Sequence, residues 1–278
     1  MKKFLAMTMA LAMALSLTAC GGNGANSSAA SNGSASSAGA SASTPDAAVT
    51  TVEAGKLHMS TNATFPPYEM LDASGNVIGI DAEVAGAIAD KLGLELVIDD
   101  MGFDAALLAA QNGQSDIVMA GVTVTDERLA VMDFSNSYAK GIQVVIVKEG
   151  SDVTLDNLGE KMIGTQMGTT GYIYCSDSVE NGGYGEDHVT PYEDGPTAVQ
   201  ALVNGQVDAV VIDSAPAQEY VKANPGLTIL DTEYANEDYA IGMAKGNAAL
   251  VEAVNGALAE LTADGTIQKI VDKYIPAQ

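Results

Sequence analysis

The 278-residue chain predicts an α/β protein with two structurally similar lobes. From about residue 53 onward, short strand-like runs alternate with helical stretches, which is typical of parallel strands joined by crossover helices. The segment 112–119 recurs as 204–211, and five of the eight paired positions are identical. Both copies follow a helix rich in Ala and Leu and lead into an apolar strand, so we expect one copy in each lobe.

The first half of this body predicts several elements in sequence order. A β-rich strand at 56–61 opens it, and the apolar spacing of 81–92 predicts a helix that Gly93 ends. Asn and Gly are expected to end the helix before each repeat, because both tolerate the left-handed conformation. The other predicted elements are an extended piece at 77–79, strands at 94–98 and 116–120, a helix at 103–112 and a helix that begins at Asp126.

Two later segments are predicted to cross between the lobes. The β-branched run in 140–148 and the extended segment 239–243 would together form a hinge of two segments. The chain is helical from about Asn247, and this last part would return to the first lobe. We therefore assign residues 53–140 and 240–278 to lobe 1 and residues 141–239 to lobe 2.

Residues 1–20 are typical of a lipoprotein signal peptide. Two lysines precede an apolar run that is too short to span a bilayer permanently, and small residues lead into Cys20, which resembles a lipobox. We expect cleavage before Cys20 and lipidation on it, with an ordinary signal peptide as the alternative. Residues 21–52 are rich in Gly, Ser and Ala and predict a flexible tether. The protein would then be extracytoplasmic and anchored to the cell membrane by lipid.

Acidic side chains dominate the composition, with 36 Asp and Glu against 12 Lys and Arg and a net charge of −24. This balance disfavours binding to nucleic acid and to anionic lipid, since both require a basic surface. Cys175 is the only cysteine besides Cys20, so we expect no internal disulfide. We also expect neither a cofactor nor a metal, and a monomer.

Arg128 is the only arginine in the chain. Its planar guanidinium can hold a carboxylate through two parallel hydrogen bonds, which a lysine ammonium cannot do. Thr125 is a suitable N-cap for the helix from Asp126, so Arg128 lies in the first turn, where a cation is mildly unfavourable. We therefore infer that Arg128 holds a carboxylate. An exposed salt bridge is the alternative.

Asp213 supplies the opposite charge. Extending the repeat places Gly121 opposite Asp213, at the carboxyl ends of two predicted strands, where open α/β sheets bind ligands. A ligand that bridges Arg128 and Asp213 would carry a carboxylate and an ammonium, as a free amino acid does. The glycine-rich turn 164–171 could present amides to an anion. Aromatic side chains beside two prolines could form a pocket wall, with core packing as the alternative.

Five segments carry a resemblance to a known family: TNATFPPYE (61–69), GID (79–81), DIVMAGVTVTDER (116–128), MDFS (132–135) and GTT (168–170). From about Lys56 to Tyr274, the chain resembles family three of the bacterial extracellular solute-binding proteins, the receptors of polar amino-acid ABC importers. The resemblance implies a two-lobed periplasmic-binding-protein fold, which closes around its ligand like a Venus flytrap. It also implies an ABC permease as partner and no enzymatic activity.

The resemblance implies roles for individual residues. Residues matching Gly121, Thr123 and Arg128 bind the ligand α-carboxylate, helped by Thr169 and Thr170.

In the same family, the residue matching Asp213 takes the α-ammonium. The residue matching Phe65 packs on the ligand, and the residue matching Asn62 faces its side chain. The remaining residues that we assign to the site are Tyr68, Ala120 and Gln166.

The resemblance also bears on ligand class. Relatives that bind basic amino acids often carry an acid where Asn62 stands, and no second arginine is available for an acidic side chain. We therefore expect a neutral polar amino acid. Two other functions stay open at this point: a ligand-sensing receptor subunit, and a dehydratase-like enzyme on the same fold.

Overall fold

The computed structural model describes residues 49–231 and 233–275. The predicted signal peptide, the lipidation site Cys20 and nearly all of the predicted tether lie outside the described residues. Within the described residues, no helix is both long and apolar enough to cross a membrane.

The described residues form fourteen strands, eight α-helices and three short 3₁₀ helices. The strands are β1 (Lys56–Thr61), β2 (Thr64–Phe65), β3 (Glu69–Leu71), β4 (Val77–Ile78), β5 (Glu95–Asp100), β6 (Ile117–Val118), β7 (Met132–Phe134), β8 (Ala139–Lys148), β9 (Ile163–Gln166), β10 (Val189–Tyr192), β11 (Ala209–Asp213), β12 (Leu227–Ile229), β13 (Ala235–Tyr239) and β14 (Gly242–Ala244). The α-helices are α1 (Ile80–Leu92), α2 (Phe103–Gln111), α3 (Asp126–Val131), α4 (Thr170–Ser176), α5 (Gly195–Val203), α6 (Ser214–Ala223), α7 (Ala248–Ala263) and α8 (Thr266–Tyr274). The 3₁₀ helices are Leu155–Glu160, Val179–Asn181 and Glu186–His188.

Two main sheets organise these elements. Sheet 1 has the order β5-β1-β6-β14-β7, and sheet 2 has the order β10-β9-β11-β8-β12 with β13 also paired to β8. We call the surrounding parts of the molecule the sheet-1 lobe and the sheet-2 lobe. A third, small sheet of β2, β3 and β4 belongs to neither path.

Both main sheets contain the predicted parallel strands together with antiparallel ones. β1 runs parallel to β5 and β6, and β9 runs parallel to β10 and β11. In contrast, β8 is antiparallel to β11, and β14 is antiparallel to β6. β8 and β14 enter their sheets directly from the other lobe, at the edge where the parallel strands end. They therefore run in the opposite direction, without a crossover helix.

Alternating side chains build a core on each face of the sheets. In β8, Val144 and Ile146 pack in one apolar cluster, while Val145 and Val147 pack in another. In β6, Ile117 faces the cluster that contains α1, α7 and α8, and its neighbour packs against α2. This follows from the two-residue period of a strand. Each fully buried aliphatic side chain stabilises the fold by about 1.5–3 kcal/mol.

The segment 239–243 is not one continuous crossing strand. β13 ends at Tyr239 in sheet 2, and β14 begins at Gly242 in sheet 1. Ala240 and Ile241 connect them beside the first crossing, because the Ser135 amide donates to the Ile241 carbonyl at 3.0 Å. The two crossings between the sheets are thus hydrogen-bonded to each other.

The repeated turns differ from the prediction in one detail. Gly113 and Gly205 take left-handed φ angles of 66° and 72°. Asn112 and Asn204 have φ of −89° and −78°, so glycine alone takes the left-handed conformation. Asparagine pays a steric cost there that glycine, which has no Cβ, does not.

Candidate functional site

A narrow cavity lies where four parallel strands end, between the two sheets. Its empty space of about 330 Å³ includes the solvent at its mouth. On the side of the sheet-1 lobe, the lining includes residues that come directly after β1 and β6 in the sequence. On the side of the sheet-2 lobe, it includes the last residues of β9 and β11. Nine of the predicted site residues line it: Asn62, Phe65, Ala120, Gly121, Arg128, Gln166, Thr169, Thr170 and Asp213.

A larger and more open depression lies beside α4. Its lining includes Tyr172, Asp177, Glu186, Asp187 and His188. No group of three His, Cys, Asp or Glu among the described residues is arranged to hold a metal ion. We place the candidate site in the smaller cavity, because oppositely charged, buried side chains converge there and strand carboxyl ends surround it.

Arg128 is buried at this cavity, and its own backbone amide donates to the Thr125 hydroxyl at 3.2 Å, as expected for that N-cap. Its Nη1 donates to the Thr123 carbonyl at 2.7 Å, and its Nη2 donates to the Gly168 carbonyl at 3.1 Å. The guanidinium carbon lies 5.5 Å from the Phe103 ring centroid, a cation–π contact. Burial lowers the pKa of Arg128. Its hydrogen bonds go to carbonyls, so it is not an exposed salt bridge.

Asp213 ends β11 and presents a buried carboxylate to the same cavity. The Gln143 amide donates to it at 2.8 Å, and the Tyr239 hydroxyl donates to its other oxygen. Burial, and then the nearby carboxylate of Glu237, raise the pKa of Asp213 to about 7. An ammonium bound there would favour the ionised form and lower this pKa.

Tyr68 and Thr123 were expected to line the site, but both lie behind its wall. The Tyr68 ring packs edge-to-face on Tyr239 at 5.2 Å and lies 6.0 Å from the Phe65 ring, so Phe65 alone of this pair reaches the cavity. The Thr123 hydroxyl donates to Glu237 at 3.0 Å. Thr123 therefore acts on the cavity through its carbonyl, which holds Arg128.

Asn62 lines the cavity, but its amide is engaged with the protein. Its nitrogen donates to the Met101 carbonyl at 2.9 Å. Its oxygen accepts from the Thr64 hydroxyl and from the Gln166 amide, both at 2.9 Å. The expectation that Asn62 faces the ligand side chain therefore overlooked a bridge between the lobes, in which Gln166 uses Asn62 as its acceptor.

The turn before α4 brings the sheet-2 lobe against Arg128. Thr169 caps α4, accepting from the Tyr172 amide at 3.4 Å. Gly168 has a left-handed φ of +75°, and a Cβ built there would lie 1.7 Å from an Asp104 carboxylate oxygen. Only glycine allows α2 of the sheet-1 lobe to approach this turn so closely.

Sequence reasoning missed two residues of the cavity lining, Phe103, which packs on Arg128, and Glu69. Glu69 is fully buried, and neither carboxylate oxygen accepts a hydrogen bond from the described residues. The carboxyl of Asp81 acts on it electrostatically, and that carboxyl accepts from the Gly121 amide at 3.0 Å and the Tyr138 hydroxyl at 2.7 Å. Burial, and then Asp81, raise the pKa of Glu69 well above its usual range.

A sequence signal for Glu69 did exist. β2 and β3 form a hairpin around the two prolines, and Phe65 is directly opposite Glu69. Side chains of opposed residues lie on the same face of a sheet. Assigning Phe65 to the site and recognising the hairpin would have placed Glu69 there as well.

Comparisons with known proteins show which family and fold this chain is similar to. Residues 57–277 match the family model described as bacterial extracellular solute-binding proteins, family 3. The chain is 35% identical to a probable histidine-binding protein of Neisseria gonorrhoeae, over 99% of this chain and 96% of that protein. It is 32% identical to the ABC transporter arginine-binding protein 1 of Escherichia coli, over 80% and 92%. A solved structure of an ancestral arginine-binding protein bound to glutamine has a TM-score of 0.73 and 39% identity, over 80% of this chain and 99% of that one.

Proposed function

The chain belongs to family 3 of the bacterial extracellular solute-binding proteins, and we propose that its ligand is a free amino acid with a cationic side chain. It is an extracytoplasmic amino-acid-binding protein of ABC transport and not an enzyme, with the two-lobed α/β fold of its relatives. The finer proposal concerns which atoms the ligand contacts, and which side chain it carries.

The α-carboxylate and the α-ammonium of the ligand would each face an opposite charge, Arg128 on one side of the cavity and Asp213 on the other. A guanidinium has five N–H donors, and two of those of Arg128 go to carbonyls, so three are available to an α-carboxylate. Asp213 accepts an α-ammonium from the sheet-2 lobe. Because each charge is buried, both contacts are screened less than they would be on the surface. Together they orient the ligand and draw the lobes closed.

One observation supports a cationic side chain: Glu69 is a buried carboxylate in the cavity wall, and it has no donor among the described residues. A zwitterion brings no net charge. Glu69, Asp81, Asp213 and Glu237 are all buried near the cavity, while Arg128 is the one buried base among the described residues. A guanidinium, ammonium or imidazolium beside Glu69 would offset this excess of acid and supply the missing hydrogen bonds.

A neutral polar ligand is the second candidate. Asn62 rather than an acid faces Gln166, and the raised pKa of Glu69 describes a neutral carboxyl that can bind a side-chain amide. The ancestral relative bound to glutamine shows that this ligand class fits that protein.

Replacing Glu69 with Gln separates the two candidates. For L-arginine, Glu69→Gln should weaken binding at least about tenfold, since a hydrogen bond to a charged group contributes ~1.5–3 kcal/mol. For L-glutamine, the change should stay within about twofold, because no charge is involved. Isothermal titration calorimetry on wild type, Glu69→Gln and the exposed control Glu252→Gln measures both. Tighter binding of glutamine than of arginine by the wild type would favour the neutral candidate instead.

The pH dependence gives an independent check. A bound cation favours the ionised Glu69 and expels its proton, so the affinity for arginine should rise with pH across the raised pKa of Glu69. In Glu69→Gln this contribution should be absent. Equal pH slopes in the two proteins would contradict the role of Glu69.

We further propose that Cys20 carries the lipid anchor and that residues 21–52 tether a monomeric binding body beside an ABC permease. A chain of this composition and length spans roughly 30 Å, which is enough to reach a membrane partner. Metabolic labelling with an alkyne fatty acid tests the anchor. Wild type should be labelled and membrane-bound, and Cys20→Ser should lose both properties. Labelling of Cys20→Ser would contradict the assignment.

A further inference from the structure

We propose that Gln143 is a positioning residue of the amino-acid site, which holds the Asp213 carboxylate beside that of Glu237 and links the ammonium-binding group to the crossings between the lobes. The inference rests on the proposed role of Asp213 in binding the α-ammonium. Gln143 does not line the cavity, so it would act through Asp213 and not on the ligand itself.

The position of Gln143 is fixed on three sides. It lies in β8, directly opposite Asp213 of β11 and, on the other edge, opposite Ala235 of β13. Its side chain is buried. Its amide nitrogen donates to Asp213 at 2.8 Å and to Glu237 at 3.0 Å. One amide group therefore bridges two buried carboxylates.

The bridge continues to the other half of the site. The Glu237 oxygen that accepts from Gln143 also accepts from the Thr123 hydroxyl at 3.0 Å. The Thr123 carbonyl in turn accepts from Arg128 at 2.7 Å. Hydrogen bonds, continued through the covalent frame of Thr123, thus join the group that would bind the ammonium to the group that would bind the carboxylate. They pass through β8 and β13, the strands that adjoin the two crossings.

Glutamine is suited to this position. Its NH₂ group offers two donors, one for each carboxylate, whereas methionine of similar size offers none. Glutamate would add a third carboxylate, and lysine would compete with the ligand ammonium for Asp213. Without the bridge, Asp213 and Glu237 would repel each other, and Asp213 would hold its proton to higher pH. A neutral Asp213 is a poor partner for an ammonium.

Other titratable groups also act on Asp213. Glu237 and Tyr239 face it from β13, and the electrostatic influence of Asp213 reaches Glu69, Tyr68, Tyr174 and Tyr220. The tyrosines are neutral near pH 7, since the ordinary pKa of a phenol is about 10 and burial raises the pKa of each further. A pH profile must therefore be compared between variants that differ only at Gln143.

Gln143→Met tests the inference with calorimetry. The control is Gln218→Met, the same change at an exposed site on α6. Two ligands are titrated, L-arginine and 5-guanidinopentanoic acid, which lacks only the α-amino group, with L-glutamine and glutaramic acid as the matched neutral pair. We expect Gln143→Met to weaken binding of the amino acid at least about tenfold at pH 7, and to change binding of the desamino analogue by less than about threefold. The loss should shrink toward about pH 8.5, as Asp213 ionises.

A second substitution provides a rescue. The double variant Gln143→Met, Glu237→Gln no longer has repulsion between the carboxylates of residues 213 and 237. Its affinity for the amino acid should therefore exceed that of Gln143→Met by at least about threefold. Where Gln143→Met does not fold, Gln143→Asn serves, because its shorter side chain cannot reach both carboxylates. Two results would overturn the inference about Gln143 and leave the proposed function intact. One is wild-type affinity in a folded Gln143 variant, and the other is an equal loss of affinity for an amino acid and its desamino analogue. If the wild type binds neither amino acid, the proposed function itself fails.

Discussion

Replacing Arg128 with Lys keeps the charge and removes the planar fork. In the structure, the guanidinium donates to two carbonyls, at 2.7 and 3.1 Å, and the second of these belongs to the opposite lobe. It has three further donors for a carboxylate. A lysine ammonium has three donors in all, on a single nitrogen, and cannot donate to both carbonyls and to both oxygens of a carboxylate.

The expected loss follows from the contacts. Removing one charge-assisted hydrogen bond costs ~1.5–3 kcal/mol, which corresponds to about a 10- to 150-fold weaker binding constant. Calorimetry with the preferred amino acid measures this loss, and urea unfolding confirms that the variant is folded. Lys222→Arg is the matched control, because it makes the reverse swap at an exposed position of the sheet-2 lobe.

The ligand itself identifies the contact. When the α-carboxylate is replaced by an amide, as in argininamide, wild type and Arg128→Lys should bind with similar, weaker affinity. If Arg128→Lys binds the free amino acid within about twofold of wild type, Arg128 does not hold the carboxylate.

Three further predictions concern other parts of the structure. Gly168→Ala should weaken amino-acid binding at least about tenfold, because the added Cβ meets Asp104 of the other lobe and opposes closure. Its left-handed φ should also lower the unfolding free energy by about 1–2 kcal/mol. Unchanged affinity would contradict the close approach of the lobes. Cys175 should react with a thiol reagent only under denaturing conditions, since it is buried and its pKa is raised to about 12, and rapid native labelling would contradict this. The pKa of His58 is raised, chiefly by its hydrogen bond with Asp99. The unfolding free energy of wild type should therefore exceed that of His58→Gln most below about pH 6.5, and the difference should shrink as pH rises. A difference that does not depend on pH would contradict this role of His58.

Local sequence patterns predicted the helices, and they predicted Thr125 as the N-cap of the helix that carries Arg128. Helix 81–92 follows from its apolar spacing, and the structure begins it one residue earlier. Strand 116–120 is shorter in the structure, which has Ile117–Val118, and the side chain of Asp116 has a separate role. Its two carboxylate oxygens accept from the backbone amides of Val52 and His58, both at 2.7 Å. That role depends on contacts about sixty residues away in sequence, which periodicity does not report.

The site was only partly predictable, because some of its residues depend on contacts between distant parts of the sequence. Arg128 and Asp213 follow from strand ends and from the repeat. Glu69 required the register of a hairpin, and Gln143 and Glu237 required the pairing of two strands separated by 94 positions. Sequence reasoning argued against a basic ligand from Asn62, and the structure shows that side chain engaged with Gln166. A residue that bridges two lobes has no local signature.

Calorimetric titration of the purified protein with each of the twenty common amino acids tests the central claim most directly. We expect one-to-one binding, with an amino acid of cationic side chain as the tightest ligand and with at least about tenfold weaker binding of its α-amide. Failure of all twenty to bind, with circular dichroism showing a folded α/β protein, would contradict the account of the site. Tightest binding of an acidic amino acid would contradict the roles given to Glu69 and to the single arginine.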